Sequence, residues 1–558
     1  MFMTEISVDV QRTLQGQLEY LYGDAEPTLA ALLELIAHTP INPPDKSISA
    51  NDMVLITYGG SLVKDGQAPL ATLRDFVREH LLEAVNTVHL LPFFPYTSDD
   101  GFSVVDYLSV DPALGDWDDV AALADDVDLM FDAVVNHVSA SSHYLEQYLA
   151  GNPDYQDFFI DVDPKTDTSQ VTRPRTTPLL TPFEASDGTT KHLWTTFSAD
   201  QVDLNYANPK VLLEVVRVLL EYAARGARII RLDAVTYLWK ELGTSCVHHP
   251  KTHAALKLMR TVMETAAPGV LVLTETNVPH AENISYFGDG SNEAHMVYNF
   301  ALPPLVLHTL LTGDSSTLSA WAKGLETTGD TCFFNFLASH DGIGVRPVEG
   351  LLSPAEIANL TQSVQAHGGH VSFKTNSDGS QSPYELNISY FDALSDPTAD
   401  EAVNLQVSRF TLAHAIMMSL AGMPAIYVHS LLGSRSDHAG VTKTGRFRSI
   451  NRAVLDADNV GNELADADSL RSQVLRGLTR LLKVRRHHPA FDPQASQQIV
   501  DVSPQVFAVV RGEAITCLHN VSAQEQHVSM PKAWRDLLSG ETGEGEVVLE
   551  PYQVRWLV

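Results

Sequence analysis

Arg231-Leu232-Asp233-Ala234-Val235 closes an apolar run (Ala227, Ile229, Ile230) and decides how this chain folds. The run reads as a buried strand, and the pentapeptide sets one arginine and one carboxylate at its end. Glu275 stands in the same relation to Val270-Leu271-Val272-Leu273-Thr274. Asp341 follows Phe333-Phe334-Asn335-Phe336-Leu337-Ala338-Ser339-His340. In a barrel of parallel strands the strand ends converge on one face, so such distant residues become neighbours. Three carboxylates meeting there, beside an arginine and a histidine, suit the breaking and remaking of a sugar acetal.

Working outward, further strand-like runs occur at Val54–Tyr58, Thr87–Leu91, Leu129–Val135, Met296–Phe300, Cys332–Ala338 and Ala425–Val428. With Ala227–Leu232 and Val270–Thr274 they make eight. Helical stretches such as Pro69–Leu82, Lys210–Ala224 and His253–Ala267 separate them. This alternation predicts an α/β fold, a (β/α)8 TIM barrel, rather than an open doubly wound sheet. Residues 1–50 are expected to form an N-terminal helical arm, ended by Ile41-Asn42-Pro43-Pro44, and residues 51–490 the catalytic barrel. Two stretches are too long for simple loops and read as insertions, 139–205 after strand 3 and 348–399 after strand 7. Short alternating runs from 491 to 558 predict a small C-terminal β domain.

The chain has 558 residues, 44% of them apolar, and a net charge of −32, which argues against nucleic acid or an anionic membrane as partner. Cys246, Cys332 and Cys517 are widely spaced and form neither a disulfide frame nor a zinc motif, which points to a cytoplasmic protein. Met1-Phe2-Met3-Thr4-Glu5 shows no secretion signal, and no apolar run reaches membrane-spanning length.

Acetal exchange with retained configuration needs a nucleophilic carboxylate and a protonated one about 5–5.5 Å away. Asp233 is the better nucleophile, because Arg231 lies two residues away on the same strand face and favours its ionised form. Glu275 is the natural acid/base, its pKa raised to serve near neutral pH. Asp341 would grip sugar hydroxyls, with His137 and His340 donating to the same ring. Any one of these acids alone could be a helix cap, and Arg231 alone a structural ion pair. Strand ends bearing His137, Arg231/Asp233, Glu275 and His340/Asp341 in succession are a joint signal.

Asp132-Ala133-Val134-Val135-Asn136-His137, Arg231-Leu232-Asp233-Ala234, Thr274-Glu275 and Ala338-Ser339-His340-Asp341 together resemble the α-amylase superfamily (glycoside hydrolase family thirteen). The resemblance implies that Asp233 is the nucleophile, Glu275 the acid/base and Asp341 the transition-state stabiliser. Leu91-Pro92-Phe93-Phe94, Asp99-Asp100-Gly101-Phe102, Arg173-Pro174-Arg175, Gly243-Thr244-Ser245-Cys246, Phe300-Ala301-Leu302-Pro303-Pro304 and Asp341-Gly342-Ile343-Gly344-Val345 resemble the sucrose phosphorylase subgroup more closely. That subgroup implies that Asp99 and Arg448 hold the far edge of the glucosyl ring. It also implies that Arg175 and Tyr384 contact phosphate.

Where sucrose phosphorylases carry Asp-Leu-Tyr-Gln, this chain has Ser382-Pro383-Tyr384-Glu385, preceded by Asn376-Ser377-Asp378-Gly379-Ser380. This segment, the helical arm and Tyr237-Leu238-Trp239-Lys240-Glu241 look like the phosphorylases of glucosylglycerol and glucosylglycerate. The expected reaction is cleavage of a small α-glucoside by inorganic phosphate, giving α-glucose 1-phosphate through a glucosyl-aspartate intermediate. Glucosylglycerol is the favoured substrate and glucosylglycerate the next; a sucrose phosphorylase, hydrolase or transglucosylase is the alternative. Glu385 is expected beside the acceptor, and Lys374, Lys240 and His249 are candidate cations for a glycerate carboxylate. No organic cofactor is implied. Asn136 lies where calcium-binding relatives have a ligand, but no partners are evident and no metal is expected. A homodimer is left open.

Overall fold

Eight parallel strands close into a barrel in strict chain order. They are β1 (Val54–Thr57), β2 (Thr87–Leu90), β3 (Asp128–Ala133), β4 (Ala227–Leu232), β5 (Leu271–Thr274), β6 (Met296–Tyr298), β7 (Cys332–Asn335) and β8 (Met423–Tyr427). The structure is a computed structural model that describes residues 6–39, 41, 47–327, 329–375 and 380–558. Almost every strand position is buried, because side chains face either the barrel interior or the surrounding helices. That double burial explains the continuous apolar runs in the sequence. Each expected strand is present, although β3, β6 and β7 end two to three residues early. There the chain leaves the sheet to project side chains over the barrel mouth.

Register brings the chemistry together. Asp132 of β3 pairs with Arg231 of β4, and Leu232 of β4 pairs with Thr274 of β5. Asp233 and Glu275 therefore follow one another at adjacent strand ends. Several of the outer helices, Pro69–His80, Pro209–Ala224 and Pro250–Ala266, begin with proline, whose fixed φ suits the first helical position.

The N-terminal arm is two helices, α1 (Val8–Tyr22) and α2 (Glu26–His38). Leu14, Leu18 and Leu21 of α1 are buried against helix Pro250–Ala266, with Gln17 Nε2 donating to Thr261 Oγ1 at 3.0 Å. Thr28, Leu32 and Ile36 of α2 pack against Pro209–Ala224. The proposed end of the arm at Pro43-Pro44 lies outside the described residues.

The insertion after β3 is built on strand His137–Ser139, which pairs antiparallel with Gln201–Asp203, and on hairpin Leu180–Glu184/Thr190–Trp194. The second insertion contains helix Pro354–Ala366 and a three-stranded sheet whose first strand, Ile343–Gly344, starts earlier than the predicted boundary at 348. Its expected Asn376-Ser377-Asp378-Gly379 segment lies outside the described residues. After helix Leu470–Arg486 the chain forms a four-stranded antiparallel sheet (Gln497–Ser503, Val506–Arg511, Ile515–Asn520, Val554–Leu557) and a two-stranded one (Gln526–Arg535, Thr542–Leu549). Among the described residues no helix is long and apolar enough to cross a membrane.

Candidate active site

A cavity opens at the C-terminal ends of the barrel strands. All of the predicted site residues line it except Arg231, which lies beneath its floor, and Glu385, which lies behind its wall. The barrel thus assembles from distant segments what the sequence only aligned.

The floor is a buried ionic chain. Arg231 Nη1 donates to Asp233 Oδ1 at 2.9 Å and also to Asp132. His89 Nε2 meets Asp132 Oδ2 at 2.6 Å, and burial pushes the imidazole below its ordinary pKa. Burial tends to raise the Asp132 carboxyl too, but Arg231 and His89 outweigh it and hold the pKa below the usual range. One guanidinium therefore serves two carboxylates, and Asp233 is held in place by a partner that cannot lose its charge.

Glu275 sits one strand over. Its Oε2 accepts the backbone N–H of Ala234 at 3.1 Å. Ala234 has φ +51, a left-handed conformation that costs energy in a residue with a side chain. Burial raises the pKa of both Asp233 and Glu275 against the pull of Arg231; Asp341 raises both further, with Asp132 adding to the shift of Asp233 and Asp233 to that of Glu275. Arg231 bonds Asp233 directly, so the proton resides on Glu275, whose pKa is pushed up to about 7. A carboxyl that keeps its proton to about neutral pH, beside a carboxylate bonded to a guanidinium, is the pairing that retaining acetal chemistry needs.

Asp341 belongs to a different field. Burial works to raise its pKa, but Arg448, Arg452, Arg231 and Arg175 overcome this and hold it low. Arg448 Nη1 lies 2.6 Å from Asp341 Oδ1. The same guanidinium binds Glu385 through Nε–Oε1 at 3.0 Å and Nη2–Oε2 at 2.6 Å. Glu385 also accepts the Gly342 amide at 3.1 Å and is 1% exposed. It is a support for Arg448, and the sequence did not reveal that direction. His340 stacks on Phe102 at 4.7 Å and is kept neutral, first by burial and then by Arg452 and Arg231. His137 Nε2 lies 2.9 Å from the Phe102 carbonyl.

Asp99 and Asp100 are consecutive non-glycine residues with φ of +53 and +51. Arg452 Nη1 meets Asp100 Oδ2 at 2.5 Å, and Gln201 Nε2 approaches Asp99 Oδ2 at 3.5 Å. The strained turn requires Gly101, where a Cβ would come within 2.7 Å of the Pro92 carbonyl oxygen. Arg175, from the first insertion, lies over the Tyr384 ring at 5.6 Å in the same cavity.

The candidate cations for a carboxylate are all engaged elsewhere. Lys374 Nζ binds Glu349 Oε1 at 2.8 Å, and His249 Nε2 lies 3.2 Å from Glu241 Oε2. Lys240 is buried, its Nζ at 2.7 Å from Asn136 Oδ1 and 2.8 Å from Asp203 Oδ2. Its ammonium thus occupies the acceptors that a metal ion at Asn136 would use. Asp203 also accepts from the Thr196 amide at 2.7 Å, so the lysine ties the first insertion to the barrel. Among the described residues no group of three His, Cys, Asp or Glu side chains is arranged to hold a metal.

The sequence reading missed Phe197, Gln201, Asn277 and Arg452 at this site. Gln201-Val202-Asp203-Leu204 carried a strand-like alternation that could have marked Gln201; Asn277 carried no signal of its own.

The alpha amylase catalytic-domain family matches residues 82–341. A glucosylglycerate phosphorylase of Allomeiothermus silvanus is 49% identical, with 100% of both chains covered. A glucosylglycerol phosphorylase of Marinobacter adhaerens is 31% identical over 76% of this chain and 85% of that one. The crystal structure of sucrose 6F-phosphate phosphorylase from Thermoanaerobacter thermosaccharolyticum superimposes with a TM-score of 0.74 at 26% identity, covering 86% of this chain and 94% of the other.

Proposed function

The chain belongs to the α-amylase superfamily, among its α-glucoside phosphorylases, and on that footing we propose that its substrate is α-glucosylglycerate, cleaved by inorganic phosphate to α-glucose 1-phosphate and glycerate. Asp233 Oδ attacks the anomeric carbon while Glu275 gives its proton to the departing glycerate oxygen. The glucosyl group is then esterified to Asp233 and Glu275 is ionised. Phosphate enters the vacated acceptor side, passes a proton to Glu275 and attacks the same carbon, so two inversions restore the α configuration. Asp341, kept ionised by Arg448 and Arg452, supports the positive charge that develops on the sugar ring.

The observation that carries this reading is Arg175, stacked on Tyr384 in the cavity that holds Asp233 and Glu275. Phosphate approaching three carboxylates is repelled, and a placed guanidinium offsets that repulsion with paired hydrogen bonds. The sequence alone ranked glucosylglycerol first. The proposal reverses that order, because the glucosylglycerate phosphorylase relative matches over its whole length at far higher identity than the glucosylglycerol one. We place the enzyme in the cytoplasm, where its three buried and unpaired cysteines stay reduced.

The test is to incubate the protein with α-glucose 1-phosphate and, separately, glycerate, glycerol or fructose, and follow phosphate release. Glycerate should be the most efficient acceptor. Faster turnover with glycerol or fructose would overturn the assignment.

A further inference from the structure

Arg346 heads the turn Arg346–Val348, directly after strand Ile343–Gly344. Two contacts place this turn against the cavity wall. A Cβ on Gly344 would lie 2.8 Å from Asn277 Oδ1, and the Val345 amide donates to the Tyr384 carbonyl at 3.1 Å. Asn277 and Tyr384 both line the cavity. Arg346 Nε and Asn277 Oδ1 are buried, and neither meets a hydrogen-bond partner among the described residues. A buried donor left unpaired is costly, so such an atom calls for a partner, which at the edge of a cavity can be water or a ligand.

The charge of Arg346 is felt inside the site. It acts on the Tyr237 hydroxyl, which Arg175 also acts on from the other insertion, and on His248. Acids on the adjoining segments are already committed, Glu349 to Lys374 at 2.8 Å and Glu282 to His248 at 3.0 Å.

We infer that Arg346, from the turn against the cavity wall, joins Arg175 in a two-guanidinium clamp, in which Arg346 binds the carboxylate of a three-carbon hydroxy acid leaving group. The inference rests on the glycerate reading of the preceding section. The clamp holds the carboxylate during glucosyl transfer to Asp233, then receives phosphate once the acid has left. A neutral polyol leaves the Arg346 donors unpaired, and a site built for a polar partner discriminates strongly against analogues lacking it.

The experiment compares wild type, Arg346→Ala and Arg346→Lys in the synthetic direction, with α-glucose 1-phosphate as donor and glycerate or glycerol as acceptor. A charge-assisted hydrogen bond sets the scale. For Arg346→Ala, kcat/KM for glycerate should fall about 10- to 100-fold more than that for glycerol, mostly through KM. Arg346→Lys should recover part of the loss. Equal losses for both acceptors, or no loss, in a variant with wild-type thermal unfolding would overturn the role of Arg346 while leaving glycerate as substrate. A wild-type enzyme that ignores glycerate would instead overturn the substrate reading itself.

Discussion

The amide of Ala234 donates to Glu275 Oε2 at 3.1 Å, so the residue after Asp233 anchors the carboxyl proposed to work with it. That hydrogen bond ties the two strand ends together, and Ala234 itself turns the chain away through a left-handed φ of +51. Asp233 and Glu275 are coupled in position as well as in charge.

That coupling sets a first expectation. Asp233→Asn keeps the shape of the site but removes the attacking oxygen's charge, so turnover should drop by roughly four orders of magnitude or more. Intact-mass measurement after mixing with substrate should show a glucosylated chain in the wild type and none in the variant. Wild-type turnover by the variant would end the assignment.

Glu275 predicts two pH effects of opposite benefit. As acid it must hold its proton, so the leaving-group step should weaken as pH rises through about 7, and Glu275→Gln should remove that limb. For stability, the folded pKa lies above the unfolded one. The folded state therefore binds the extra proton between the two, and stability falls as pH rises from the ordinary carboxylate range through about 7. Glu275→Gln, which carries no charge, should be the more stable protein at pH 8, by about 1–3 kcal/mol. Denaturant unfolding at pH 5 and pH 8 measures the difference; a wild type equally stable at both, relative to the variant, would refute it.

Arg175→Ala should spare water as acceptor far more than phosphate. The loss of a bidentate, charge-assisted contact predicts about a 10- to 100-fold rise in the KM for phosphate, with slower glucose release by hydrolysis changing much less. Parallel losses in both reactions would remove Arg175 from phosphate binding.

Glu385 now carries a different expectation from the one its sequence neighbourhood suggested. Because it grips Arg448 with two hydrogen bonds and does not line the cavity, Glu385→Gln should lower kcat/KM for all acceptors alike, by about 10-fold. A reordering of acceptors would show that Glu385 does select among them.

Lys240 is a buried charge whose removal strands another. Lys240→Met leaves the buried Asp203 charge without a cation and should cost about 3–5 kcal/mol, and adding Asp203→Asn should return part of it. Thermal unfolding of the single and double variants decides this: equal destabilisation by both would mean the pair contributes little.

The barrel was legible because each parallel strand is covered on both faces and so writes an unbroken apolar run, and because the acids follow those runs directly. Strand ends were less legible. Val134 and Val135 continue the apolar character of β3, yet the chain has already turned there to set Asn136 and His137 over the barrel. Side-chain direction was not legible at all in the second insertion. Tyr384 and Glu385 are adjacent in one strand, and alternation sends one into the cavity and the other behind it. Lys240 gave no hint of its role, since its partners Asp203 and Asn136 lie 37 and 104 residues away, distances that periodicity does not span.

The two helices at the N-terminus share their leucines with the outermost layer of the barrel. Leu14, Leu18 and Leu21 on one side and Leu32 and Ile36 on the other cover greasy flanks of neighbouring helices that would otherwise be wet. Trimming these residues as a dispensable leader would bare that flank, and the shortened protein should clump in solution before its chemistry fails.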